Sequence, residues 1–418
     1  VVYFRQCHTM WDSLRKFRPA YCDLPTMVSN IACLLRTSIV NIERKYTQRI
    51  PIIFYVIQIL TGASYFYVFQ VSMMWFVFIR CRETKDMVAA SVVYSLGACS
   101  ITGVAKLFYI RFHIVTIKDL VDEYLACDAA LDPGSRFYNN LLLALRDVKT
   151  RAVGFWLFLI INGLIYILVA IIRPGRHFME DLYVIYGLEP MFVTPNYQIA
   201  FTMMSAGMYF GIPAETNTSA LLTVLTGYVE SQMLALSKEL DNLWDDANAM
   251  YQLTEDYVND DDDYNNQNLI LNEHIRKLLK DIAIKHSISI ALLGQVEKVF
   301  REAMAIEFGL LSSALIAELL GGLENTYLQL PYTLLQVALD CFIGQRLIDA
   351  NIVLLDSVYS CKWERFDHFN QRTVYLMLMN SQRTLTLSVG GLTVLSFTCL
   401  MSVLNSIYSA YTTLRSRI

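Results

Sequence analysis

Long stretches without one charged side chain run through this sequence, and they leave few folds open to it. Pro51 to Ile79, Met87 to Ala105, Pro190 to Ala214 and Thr384 to Leu414 contain no Asp, Glu, Lys or Arg. Ala152 to Ile172 has Asn162 as its one strongly polar side chain. A helix needs about 20 mostly apolar residues to cross a hydrocarbon core of about 30 Å. Within that core backbone groups must hydrogen-bond to each other, so each run reads as a membrane-spanning helix. Composition points to the same solvent: 55% of the residues are hydrophobic and 17% charged, where soluble domains carry about a quarter charged.

Two further spans are less pure. His286 to Leu323 carries Glu297, Lys298, Arg301, Glu302, Glu307 and Glu318, yet its later part, FGLLSSALIAELLGGL, is apolar. It reads as a long helix that starts in the cytoplasm near Glu273 and enters the bilayer around Phe308. Asn325 to Leu355 follows the Gly321-Gly322 turn signal, with Asp340, Arg346 and Asp349 charged. The fold class is therefore all-α, a polytopic membrane protein with seven transmembrane helices. Acids inside a span are costly and face protein or water. Glu318 and Asp340 are thus expected to pair with each other, to sit beside a conduction path, or to mark where the spans really end.

The distribution of Lys and Arg sets the orientation. The segment before Pro51 holds eight, 106–151 seven and 238–285 five. The alternate connections hold three (80–85), two (173–197) and none (321–331), and the tail holds two. The amino terminus is thus inside and the carboxyl terminus outside, opposite to a G-protein-coupled receptor. The connection 173–197 contains Pro174, Gly175, Pro190 and Pro195 and reads as a folded loop rather than a hairpin. Charges recur through the first 49 positions without an apolar h-region, so no cleavable signal peptide is expected there. Val1 in place of an initiator methionine points to a start that is trimmed or lies upstream.

Several chemistries find no support. The nine cysteines form no CxxC and the six histidines no HExxH, so no cofactor, no metal site and no disulfide framework are expected. No basic tract suggests nucleic acid. The run Asp260 to Asp263 lacks the central Gly and terminal Glu of an EF-hand and reads as a solvated insert. The sequon at Asn217 falls inside the fourth span, where glycosylation is not expected. No nucleophile and base are brought together by any motif, so the chain is not read as an enzyme.

The last eighty residues carry a connected pattern: Cys341-x-x-Gly344; Asp356-Ser-Val-Tyr359-Ser-Cys-Lys-Trp363; Leu378-Met-Asn-Ser381-Gln382-Arg383; Gly390-Gly391; and Ser406-Ile-Tyr408-Ser409-Ala410-Tyr411-Thr-Thr-Leu414. In order and spacing this resembles the carboxyl-terminal signature of the insect odorant receptor family. Arg383-Thr384 departs from the Lys-Pro or Arg-Pro common there, and Thr412 from the usual aromatic. The related gustatory receptors end in Thr-Tyr, five residues and Gln-Phe, which is absent here. The 237–285 connection is shorter than that of the family's shared co-receptor, so a ligand-tuned subunit is the reading. The resemblance implies an odorant-gated non-selective cation channel subunit in the plasma membrane of a sensory neuron. It also implies a heterotetramer with the odorant co-receptor, a central pore lined by helix seven, and a small volatile organic ligand in the outer half of each subunit. A transporter for a small apolar solute and a gustatory-type channel are the alternatives; no internal repeat of transporter type is visible.

On this reading the chain divides into a cytoplasmic segment (1–50), helices one to four with the pocket (51–236), a cytoplasmic loop and anchor helix (237–285), and helices five to seven with anchor and pore (286–418). Aromatic and methionine side chains suit volatile apolar ligands. The pocket candidates are Ser91, Tyr94 and Ser95 on helix two, Asn162 and Tyr166 on helix three, Phe201, Met204, Ser205 and Met208 on helix four, and Tyr332 and Gln336 on helix six. Interhelical hydrogen bonding is the competing role for the polar ones. Leu385 to Leu414 reads as the pore helix, with Gly390-Gly391 allowing a break near its start. Tyr411, Leu414 and Ile418 fall on one helical stripe, where a ring of apolar side chains can gate by dewetting. Packing against lipid or a neighbouring helix is the other role open to that stripe.

Overall fold

The computed structural model describes residues 17–18, 20–44, 50–255, 264–383 and 385–416. The acidic run Asp260–Asp263, Thr384 and Ile418 lie outside the described residues. Helices α1 (Leu24–Thr37), α2 (Ile52–Thr84), α3 (Met87–Phe112), α4 (Ile114–Ala129), α5 (Arg136–Ile172), α6 (Asn196–Glu255), α7 (Tyr264–Gly321), α8 (Gln329–Ser360), α9 (His368–Gln382) and α10 (Phe397–Arg415) follow one another, with a two-stranded hairpin, β1 (Ser388–Val389) and β2 (Thr393–Val394), before the last. Four of them, α2, α3, α5 and α7, are long and apolar enough to cross a membrane by length and composition. The other three segments read from the sequence as spans lie on α6, α8 and α10.

Where α2 and α5 meet no protein they expose aliphatic side chains: Ile52 at 80%, Ile59 at 67% and Ile172 at 76%. A belt of this kind on two helices whose other faces are packed is stable only against lipid. At 1.5 Å per residue, the 60 residues of α6 and the 58 of α7 extend roughly 90 Å, far beyond a hydrocarbon core. Their excess length, with the ends of α5 and α8, builds a second bundle on one side. There α1 packs on α6, α4 on α7, and α9 on both α7 and α8. The apolar core is continuous from Leu24 and Leu35 through Leu145 and Leu236 to Leu354. Arg346, one of the charges that made the sixth span impure, reaches Glu230 at 3.0 Å, and Arg151 reaches the same carboxylate at 2.9 Å, so α5, α6 and α8 share one ion cluster. Asn217 is buried between Trp156 Nε1, which donates to it at 2.9 Å, and the Leu34 carbonyl, to which it donates at 3.2 Å.

The carboxyl-terminal region differs from the expectation of one helix over 385–414. Gly390 and Gly391 have φ of +61° and +75°, which turns the chain back as β1–β2, and α10 begins only at Phe397, capped by Ser396. Polar groups on α7 hold the hairpin. The Glu297 carboxylate accepts from the Ser388 amide at 2.9 Å and from its hydroxyl, and the Arg301 carbonyl accepts from the Gly390 amide at 3.2 Å. On the other side a Cβ at Gly344 would stand 2.3 Å from the Leu395 carbonyl oxygen. The Cys341-x-x-Gly344 motif is thus the seat on which α8 receives the hairpin.

A side chain at 391 is strained by its positive φ, at a cost of about 1–2 kcal/mol. Gly391→Val should therefore lower the thermal unfolding midpoint of the purified chain by one to a few degrees. An unchanged midpoint would mean that the hairpin adds nothing to the fold.

Candidate functional site

At the end of the bundle where 173–195 connects α5 to α6, the helices do not close. Tyr65 and Phe69 of α2, Leu96, Cys99 and Ser100 of α3, Asn162, Gly163 and Tyr166 of α5, Gly207, Met208, Gly211, Ile212 and Glu215 of α6, and Leu328, Gln329, Tyr332 and Thr333 at the start of α8 surround a cavity of about 80 Å³. The helices leave this gap for local reasons. In α2 the backbone switches to π-helical geometry over Phe66–Ser72 and again over Phe76–Arg80. The extra residue per turn widens the helix next to the cavity, a distortion found mostly at functional sites. In α6, Pro213 leaves the Tyr209 carbonyl without its intrahelical donor.

The walls are held by hydrogen bonds that fix aromatic rings rather than fill the space. The Tyr65 hydroxyl donates to the Ser100 carbonyl at 2.9 Å and accepts from Gln70 at 2.8 Å. Gln329 donates to the Tyr166 hydroxyl at 3.2 Å and to Glu180 at 3.3 Å, and accepts from Ser95 at 2.7 Å. The 173–195 connection is a folded cap, as its prolines suggest. Phe178, Met179, Tyr183, Ile185 and Met191 are buried in a second apolar core with Phe69, Phe76 and Tyr166, and the Tyr183 hydroxyl donates to the Val68 carbonyl at 2.6 Å. Glu180 links this cap to the cavity through Gln329. Burial pushes its carboxyl up to about 7, Asp181 adds to the rise, and the Leu182 amide and Arg173 oppose it.

Four of the eleven pocket candidates line this cavity: Asn162, Tyr166, Met208 and Tyr332. Ser95 stands one hydrogen bond behind it. Ser91 is half-buried and Phe201 stacks near Tyr197 at 6.1 Å. Met204 is packed in the second core, and the Ser205 hydroxyl is buried without a hydrogen-bond partner. Gln336 is buried deeper, with neither amide atom partnered. Tyr94 is 38% exposed and donates to Ser313 at 3.2 Å, on the flank of the bundle. Sequence reasoning missed Tyr65, Phe69, Gln329 and Thr333. An uncharged span gives no rotational phase when every face is apolar, so period alone did not reveal which side of α2 turns inward.

Below the cavity the bundle is closed by ions. Lys106 donates to Glu215 at 2.8 Å, to Glu307 at 2.5 Å and to Ser219 at 3.0 Å, joining α3, α6 and α7. Glu318 and Asp340 do not fulfil the expected pairing with each other. Glu318 accepts from Thr333 at 2.6 Å, while Asp340 is buried on α8 in the field of Lys106.

On α10, Thr398, Ser402, Asn405, Ser409 and Thr413 follow one another at steps of three and four residues, one face of the helix. They line an open concavity with Leu414 at its far end. Leu414 is 42% exposed, and the half-buried Tyr411 hydroxyl accepts from Arg415 at 2.6 Å.

A family model described as 7tm Odorant receptor matches residues 86–408. Odorant receptor 30a of Drosophila melanogaster is 32% identical over 74 residues, which are 18% of this chain and 20% of that protein. The match therefore spans about a fifth of the relative's length. The olfactory receptor OR5 of Machilis hrabei has the same fold, with a TM-score of 0.71 at 12% identity over 94% of this chain and 98% of its own. Its complex with eugenol aligns at 0.68 and 12% identity over 94% and 99%.

A buried carboxyl raised to about 7 favours the docked cap when protonated. The stabilisation is complete below about pH 4.5, its ordinary value, and is lost as pH rises through about 7. The thermal midpoint of the purified chain should fall between pH 5 and pH 8, and Glu180→Gln should flatten that fall. An equal slope in the variant would remove Glu180 as its source.

Proposed function

Because the chain belongs to the odorant receptor family, we propose that it is the ligand-tuned subunit of an odorant-gated, non-selective cation channel. In this reading a small volatile molecule binds in the cavity beneath the 173–195 cap. Seven spans leave the amino terminus in the cytoplasm and the carboxyl terminus outside, and the second bundle is a cytoplasmic anchor. The subunit assembles with a co-receptor as a heterotetramer in the plasma membrane of a sensory neuron, with α10 of each copy around a central pore.

The observation that carries the channel reading is the polar stripe of α10. Thr398, Ser402, Asn405, Ser409 and Thr413 lie on the face opposite buried Ile407, with buried Cys399 on the flank. Hydroxyls and an amide exposed along a membrane helix favour water or a neighbouring helix over lipid. A fourfold arrangement gives them a water column. Leu414 borders the far end of the same concavity, turned about 100° from Thr413 toward the side of Ile407, and in this reading supplies an apolar constriction there. The cavity supports the receptor half of the reading. It is mostly apolar, with a few polar groups set among aromatic walls, as small-molecule sites are.

Binding and gating are separable by measurement. Tyr166→Ala and Tyr332→Ala should each raise the odorant concentration for half response about fivefold, roughly 1 kcal/mol per lost ring contact, at unaltered surface expression. Unshifted sensitivity in both would place recognition elsewhere. Leu414→Ser should instead raise the current in the absence of odorant, because one polar ring wets an apolar constriction. The rise should grow with the number of mutant copies in the assembly. A basal current that stays near zero would mean that Leu414 faces lipid or protein.

A further inference from the structure

Beneath the cavity buried carboxyl groups outnumber buried cations. Glu215, Glu307, Glu318 and Asp340 are each at most 2% exposed, and the buried cation among them is Lys106. An ammonium has three protons to donate, and those of Lys106 go to Glu215, Glu307 and Ser219. Asp340 lies within hydrogen-bonding reach of Glu307, whereas Glu215 Oε2 and Glu318 Oε2 are buried without a hydrogen-bond partner among the described residues. A buried carboxyl oxygen left in this state favours any donor or cation that can reach it.

Two of these acids communicate with the empty space. Glu215 is itself part of the cavity wall, and Glu318 stands directly behind Thr333 and Cys99, which are also wall residues. The wall contains no Lys, Arg or His. It does contain four aromatic rings, Tyr65, Phe69, Tyr166 and Tyr332, whose faces attract cations. Among the described residues no three acids, histidines or cysteines are set out to ligate a metal ion. A ligand that donates several N–H groups and carries positive charge fits this floor, whereas an ester donates nothing to it and an alcohol donates one proton.

We infer that the cavity selects small organic amines in their protonated form, with the ammonium seated on Glu215 Oε2 and the hydrocarbon tail among Tyr65, Phe69, Tyr166 and Tyr332. This rests on the cavity being the odorant site. Glu215 then has two cations, Lys106 on one oxygen and the ligand on the other. The same carboxylate that ties α6 to α3 through Lys106 thereby senses occupancy.

The test is a matched series of straight-chain primary amine, alcohol, methyl ester and N-acetyl amide with the same alkyl tail. Currents are read from cells expressing the full chain with the co-receptor subunit. A charge-assisted hydrogen bond in place of a neutral one predicts an amine half-response concentration roughly tenfold or more below that of the alcohol. Glu215→Gln should bring the two within about twofold of each other, and Glu215→Asp should keep the amine ahead. If Glu215→Gln does not reach the surface, the unmodified chain decides. Acetylating the amine removes its charge while keeping the tail, and should cost the same tenfold. Equal potency of amine and alcohol, an undiminished amine preference in Glu215→Gln, or no response to any amine at millimolar concentration overturns the inference. Failure of the underlying site shows differently: Tyr166→Ala and Tyr332→Ala would then leave the response to every member of the series unshifted.

Discussion

At one depth of the bundle a single ammonium group is shared between two helices other than its own. Lys106 of α3 holds Glu215 of α6 and Glu307 of α7, and the rest of the architecture is arranged on either side of that contact. Toward the cap, the same helices part around the cavity: residues 96–100 of α3 and 207–215 of α6 are wall. Away from the cap they close into the continuous core that begins at Leu221 and Leu222 on α6 and reaches Leu347 and Leu354 on α8. In a low-dielectric interior neither the lysine nor the carboxylates are tolerable alone. The three helices are therefore fixed in register, and the cavity floor with them.

The cap and the cavity are linked through one amide. Gln329 at the start of α8 accepts from Ser95 of α3 and donates to Tyr166 of α5 and Glu180 of the cap. Each of these groups is buried, so each needs its partner, and a ligand entering beside Gln329 meets a network with little slack. The π-helical stretches of α2 contribute from the other side, holding Tyr65 and Phe69 against α6. What surrounds the cavity is thus rigid by hydrogen bonding on one wall and backbone-distorted on the other.

At the opposite extreme stands α10. Its 19 residues, about 28 Å, barely match a hydrocarbon core, and its main contacts among the described residues are with α7 and α8. Cys399 and Ile407 are its buried residues. A helix so sparsely packed keeps a polar face free for water or another helix. The hairpin fixes where it starts, through Glu297 and Arg301, charges that looked out of place in the fifth span.

The sequence alone determined that this chain lives in a bilayer, with helices near the observed positions and a folded cap between α5 and α6, because lipid forbids charge and loose backbone over about 20 residues and loops do not. It also determined the family, since the motifs from Cys341 to Leu414 are local strings whose order survives without coordinates. It brought Asn162, Tyr166, Met208 and Tyr332 to the list of cavity residues by position and chemistry. It did not reveal Tyr65, Phe69 or Gln329, nor that Tyr94 turns to the flank. In an all-apolar span the helical phase is not written in any periodic signal, and only packing against neighbours chooses it. The same holds for the acids. Glu215, Glu307 and Asp340 are scattered over 126 positions of sequence, and only the tertiary structure gathers them around Lys106, because helix packing and not local sequence decides which side chains meet in the interior.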